Sequence, residues 1–71
     1  KNIAMSYMIR KFTDLGLPVL DCQQPDRFTG IFSGYIVFEH DGEEWEVDYD
    51  EAIFLNSKAD ILEHSKIYEG E

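Results

Sequence analysis

Seventy-one residues make one small domain, 1–71, and the 44% apolar fraction, with five Phe, four Tyr and one Trp, is rich for that size. Cys22 is the single cysteine, which excludes an intrachain disulfide framework and any metal cluster built on cysteine. The net charge of −9 argues against direct binding to nucleic acid or anionic lipid, and points instead to basic proteins or cations as partners.

The first element is an amphipathic helix over 3–15. Met5, Met8, Ile9, Phe12 and Leu15 recur at spacings of three and four and make one apolar stripe, with Ser6, Arg10, Thr13 and Asp14 opposite. Asn2 is placed to cap its start. Gly16 stands where a C-terminal cap residue belongs, Leu17 can fold back on Phe12, and Pro18 forbids continuation. Residues 17–27, with Pro18 and Pro25, read as a connector holding a short strand at Val19-Leu20. Residues 28–38 are rich in Phe, Thr, Ile, Tyr and Val and read as one long strand, bent or bulged at Gly30 and Gly34.

Asp41-Gly42 between two alternating segments predicts a two-residue hairpin of type I′, and the turn sets a register. Glu39 then faces Glu44, Phe38 faces Trp45, Val37 faces Glu46, Ile36 faces Val47, Tyr35 faces Asp48 and Gly34 faces Tyr49. One face holds Phe32, Ile36, Phe38, Trp45, Val47 and Tyr49, and this is the expected core face, to be met by Met8. The other holds Tyr35, Val37, Glu39, Glu44, Glu46 and Asp48. Asp50-Glu51 turns the chain, and Ala52-Ile53-Phe54-Leu55 reads as a short third strand. Ser57-Lys58-Ala59-Asp60 is a capping-box start for a closing helix through Ile61, Leu62 and Ser65. The expected fold is α+β: an N-terminal helix on an antiparallel sheet of two or three strands, with a short C-terminal helix.

Charge is concentrated in the hairpin. Eight of the thirteen residues from Glu39 to Glu51 are acidic, and no Lys or Arg interrupts them. The remaining 58 residues carry seven acids and six bases, so this element holds nearly all of the net charge. Tyr35, Val37, Glu39, Glu44, Glu46 and Asp48 are therefore the candidate binding residues. The plain alternative is a solvated strand face that blunts edge pairing and aids solubility. Against it, like charges directly opposite destabilise a sheet, and Glu39 faces Glu44.

Other chemistry is weaker. An EF-hand loop with Asp41-Gly42 at its turn would need Val37 as a ligand, and valine has none to offer. A looser cation site on Asp48, Asp50 and Glu51 is a second possibility. His40 and His64 belong to no metal-binding pattern and read as surface residues. Cys22 with either histidine would make a thiol–imidazole pair, but a lone Cys after Val19-Leu20-Asp21 reads better as a small packed residue. Gly30 and Gly34 do not have the spacing of a phosphate-binding loop, and no cofactor is implied.

Phe28-Thr29-Gly30-Ile31-Phe32, followed by Tyr35-Ile36-Val37-Phe38-Glu39-His40-Asp41-Gly42-Glu43-Glu44-Trp45, resembles the turn-rich core of SH3-like barrels such as Tudor domains. The likeness covers under a third of the chain. In those barrels strand aromatics cage methylated cations. The connection before Tyr35 is shorter than theirs and the helical segments are foreign to them, so no function is carried over.

The sequence thus reads as a non-enzymatic interaction or regulatory module whose acidic hairpin meets a protein with a basic surface. Two other readings are a nucleic-acid mimic that blocks a DNA- or RNA-binding protein, and a small metal-dependent or acid–base enzyme assembled between subunits. A cytoplasmic location is expected, since one free Cys accompanies no signal-peptide pattern and no apolar run near the roughly 20 residues of a membrane span. The aromatic content exceeds what two short helices and a small sheet can cover, so a homodimer is also expected.

Overall fold

The computed structural model of the protein describes residues 4–26, 28–30 and 33–70. In chain order the elements are helix α1 (Met5–Asp14), strands β1 (Val19–Gln23), β2 (Tyr35–His40) and β3 (Glu43–Asp48), helices α2 (Tyr49–Ala52) and α3 (Lys58–Glu63), and strand β4 (Lys66–Ile67). The four strands form one antiparallel sheet in the order β1-β2-β3-β4. The α+β architecture is as the sequence predicts, with four strands rather than two or three.

Helix α1 ends in the expected motif. The Leu17 amide donates to the Phe12 carbonyl at 2.9 Å, and the Gly16 amide donates to that of Thr13 at 3.0 Å. This Schellman pair satisfies carbonyls left over at the helix end and folds buried Leu17 back towards buried Phe12. The expected cap Asn2 lies outside the described residues, and Ala4 precedes the helix with no side-chain cap bond.

The stripe is narrower than its spacing suggests. Met8 and Phe12 are fully buried, while Met5 and Ile9 are 38% and 39% exposed. The reason is how the helix is rolled. Lys11 Nζ donates to the carbonyl oxygen of Ala52 at 2.7 Å, which turns that flank of α1 towards the segment after α2 and the Met5–Ile9 flank away from it. The ammonium shares the Ala52 carbonyl with the Leu55 amide, which donates to it at 3.2 Å, and also reaches Asn56 Oδ1 at 3.4 Å. Burial lowers its pKa from the ordinary lysine value. Lys11→Met keeps the stem but removes the charged donor, leaving the Ala52 carbonyl with the Leu55 amide alone. A loss of about 1–2 kcal/mol in urea unfolding is expected. An unchanged midpoint would show that the bond adds nothing to stability.

The hairpin is in the predicted register throughout, from Glu39↔Glu44 down to Tyr35↔Asp48. Its turn residues Asp41 and Gly42 have φ of +56° and +76°, as type I′ requires. The Tyr49 amide extends the ladder by one bond, to the Gly34 carbonyl at 3.0 Å.

Two segments differ from expectation. Residues 28–38 are not one bent strand: β2 begins at Tyr35, and Phe28–Gly30 is a turn. Asp26 Oδ1 accepts the Phe28 amide at 3.0 Å, and Thr29 Oγ1 donates to the Asp26 carbonyl at 3.3 Å. These local bonds compete with a strand ladder, and they leave the Phe28 side chain fully exposed. Ile31 and Phe32, the latter expected on the core face, lie outside the described residues.

Ala52-Ile53-Phe54-Leu55 is not a third strand. Asp48 Oδ2 accepts the Glu51 amide at 3.2 Å and caps α2, with Asp50 and Glu51 in the first turn where acids suit the helix dipole. Ala52 then ends a single helical turn, Leu55 is buried, and Phe54 is 81% exposed. The closing helix starts as expected, with Ser57 Oγ accepting the Asp60 amide at 3.1 Å. It stops at Glu63, short of Ser65. Strand β4 then pairs Ile67 with Trp45 and Lys66 with Glu46.

The core lies between the helices and the inner face of the sheet, and it includes Met8, Phe12, Ile36, Phe38, Val47, Tyr49 and Ile61. Phe12 and Phe38 meet edge-to-face with centroids 5.5 Å apart. Trp45, expected in this core, is only half-buried and packs against it. It sits near the hairpin end, where the 45%-exposed Ile67 is its β4 neighbour. Its indole N–H donates to the His40 carbonyl at 3.3 Å, and the His40 ring stands edge-on to it.

Candidate functional site

Alternation along the hairpin sends Tyr35, Val37 and Glu39 of β2, and Glu44, Glu46 and Asp48 of β3, to the outer face. The six predicted residues therefore share one surface, but they play different parts in it. Glu39 and Glu44 are exposed and directly opposite each other. Glu46 is half-buried, with its Oε2 3.5 Å from Lys66 Nζ. Asp48 is exposed and also caps α2.

Tyr35 donates its hydroxyl to Asp21 Oδ2 at 3.2 Å. That bond is the main reason its pKa is raised, and the Asp21 charge adds to it. Val37 must be taken out of the contact surface: it is 2% exposed and offers no area to a partner. It lies on an inner strand, flanked by Asp21 of β1 and Glu46 of β3, and along its own strand by Tyr35 and Glu39.

The face runs into an open groove of about 350 Å³ where β3 meets the turn between α3 and β4. Tyr35, Glu46 and Asp48 line it from the hairpin. Glu51 lines it from α2, which follows β3 directly, and Glu63, His64 and Lys66 line it from the α3–β4 end of the chain. Among the described residues four carboxylates thus stand against one ammonium. His64 ends α3 with Nδ1 3.0 Å from the Asp60 carbonyl oxygen. This bond is the largest cause of its raised pKa; slight burial opposes it, and the carboxylates of Glu51, Glu63 and Asp60 add to it.

Glu63, His64 and Lys66 of the groove, and Asp21 beside Tyr35, are the members that the sequence did not place on this face; Glu51 stands out there only as part of the acidic run and of a looser cation site. No alternation marks β4, since two residues are too few to show one; what it contributes is a lysine opposite Glu46, a favourable cross-strand pair.

The other candidates are not assembled. Cys22 pairs with Ile36 and belongs to the inner side of the sheet, whereas His64 lies in the groove of the outer face. His40 lies four residues beyond Ile36, roughly 13 Å along the strand. Burial first, and then Asp21, raises the Cys22 pKa, which disfavours the reactive thiolate. Among the described residues no three or more His, Cys, Asp or Glu side chains are grouped to hold a metal ion, the trio Asp48, Asp50 and Glu51 included. Tyr35 and Trp45 lie on opposite faces of the hairpin and cannot share one aromatic cage.

No protein-family model, curated protein or solved structure matches this chain.

Proposed function

We propose that the protein is a non-enzymatic interaction or regulatory module that binds a basic protein surface through the outer face of its hairpin and the adjoining groove. One observation carries this reading. Glu39, Glu44, Glu46, Asp48, Glu51 and Glu63 line this continuous surface, and among the described residues Lys66 is its one ion-pairing cation. Facing Glu39 and Glu44 repel each other, and a face selected for stability alone would avoid that pair. A partner's lysines and arginines would relieve the repulsion, and complementary charge would speed encounter. The cytoplasmic location belongs to the same proposal; no described helix is long and apolar enough to cross a membrane.

The test is a neutralised face: Glu39→Gln, Glu44→Gln, Glu46→Gln and Asp48→Asn together. Asn is as good a helix cap as Asp, so α2 keeps its start. Binding of an octalysine peptide to the unmodified protein should weaken steeply between roughly 0.1 M and 1 M salt, as the Debye length falls from about 10 Å to about 3 Å. The variant should lose that binding while its melting temperature stays level or rises slightly. A variant that binds as before but precipitates more readily returns the face to the role of a solubilising strand surface.

A further inference from the structure

Among the described residues the groove contains one histidine, His64, the side-chain type whose charge changes near neutral pH. His64 Nδ1 faces a carbonyl oxygen, that of Asp60, at 3.0 Å, so Nδ1 carries a hydrogen in both protonation states. The titrating proton is therefore the one on Nε2, which the Asp60 bond leaves uncommitted. Around the ring stand Tyr35 of β2, Glu46 and Asp48 of β3, Glu51 of α2, Asp60 and Glu63 of α3, and Lys66 of β4. With the imidazole neutral, Lys66 is the one cation beside the four groove carboxylates among the described residues. With it charged there are two, and an incoming ammonium or guanidinium meets a competitor already in place.

We propose that protonation of His64 is a built-in brake on cation binding in the groove, so that a lysine- or arginine-rich partner is held while the ring is neutral and loosened when it becomes charged. This rests on the acidic-face reading above and adds its regulation. The raised pKa puts the change at or above the ordinary histidine value of 6.5, so binding weakens as pH falls through the neutral range.

Octalysine is a suitable probe because its ammonium groups stay charged between about pH 6 and about pH 8, and carboxyl groups ordinarily titrate well below that window. One added charge near the bound ammonium should weaken binding about threefold at the lower pH in low salt. His64→Gln, which keeps a neutral donor, should bind equally at both pH values. His40→Gln should behave as the unmodified protein does, which separates the two histidines. By linkage, bound octalysine should lower the His64 pKa followed by NMR by the same factor.

Equal pH dependence in His64→Gln would overturn the brake, as would binding by the unmodified protein that is flat with pH or a His64 titration unmoved by the peptide. In these cases octalysine still binds and the acidic-face reading survives. If octalysine fails to bind at about pH 8 in low salt, that reading fails and the brake falls with it.

Discussion

Gly34→Ala is expected to destabilise the protein by about 3 kcal/mol or more, a large share of the roughly 4–10 kcal/mol available to a domain of this length. An alanine Cβ there would lie 2.1 Å from the Gln23 carbonyl oxygen and 2.8 Å from Pro25 Cδ. The first neighbour is backbone at the end of β1 and the second is a rigid ring, so neither can swing aside as a long side chain would. The Gly34 carbonyl also takes the Tyr49 amide, so a shift here disturbs the last bond between β2 and the start of α2. Gly30→Ala separates this clash from a general intolerance of the loop. Gly30 has open space around it and φ of +83°, so its substitution costs only the left-handed backbone, about 1–2 kcal/mol. The two variants are compared by urea unfolding. If Gly34→Ala is no worse than Gly30→Ala, the close approach of β1 to Gly34 is wrong.

The sequence was most legible where local chemistry left one choice. Asp41-Gly42 admits one tight turn, and the turn sets every pair down to Tyr35↔Asp48. Gly16, Leu17 and Pro18 agree on one helix end, and Ser57 with Asp60 on one helix start. Legibility failed where a short polar side chain decided between states that periodicity cannot separate. The Asp26 carboxylate makes a turn of Phe28–Gly30, and Asp48 makes a helix of residues that would otherwise suit a strand. Strand β4 has two residues, too few to show any period. Alternation reports the side of a sheet and not the depth, which is why Val37 proved more buried than expected and Trp45 less. The same limit governs the site. Parity placed Glu39, Glu44, Glu46 and Asp48 on one face, and the Asp48 cap brings Glu51 beside them, but the groove also needs Glu63, His64 and Lys66 from elements that only tertiary packing brings to the hairpin.

Phe12→Ala should be the most damaging core truncation, at about 3–5 kcal/mol. Phe12 has no exposed surface, and it couples three features. Its ring meets Phe38 edge-to-face and so holds α1 on β2. Its carbonyl receives the Leu17 amide in the cap that leads into β1. It also carries, with Met8, the fully buried part of the α1 stripe, because Met5 and Ile9 face outward. The backbone bond survives substitution, so the loss measures packing: the removed ring, its aromatic contact, and a cavity that residues on three elements would have to collapse to fill.

Two comparisons make the test specific. Ile9→Ser changes an apolar residue on the same helix but on its exposed flank, and should stay within about 0.5 kcal/mol. Trp45→Ala removes a larger side chain that is only half-buried, and should cost less than Phe12→Ala despite its size, about 2 kcal/mol. Ranking by side-chain volume puts Trp45 first, and ranking by the hydrophobic stripe makes Ile9 equal to Phe12. The packing described here puts Phe12 first and Ile9 last. Denaturant midpoints for the three variants decide among these orders, and any order with Ile9→Ser near Phe12→Ala means that α1 is rolled differently on the sheet.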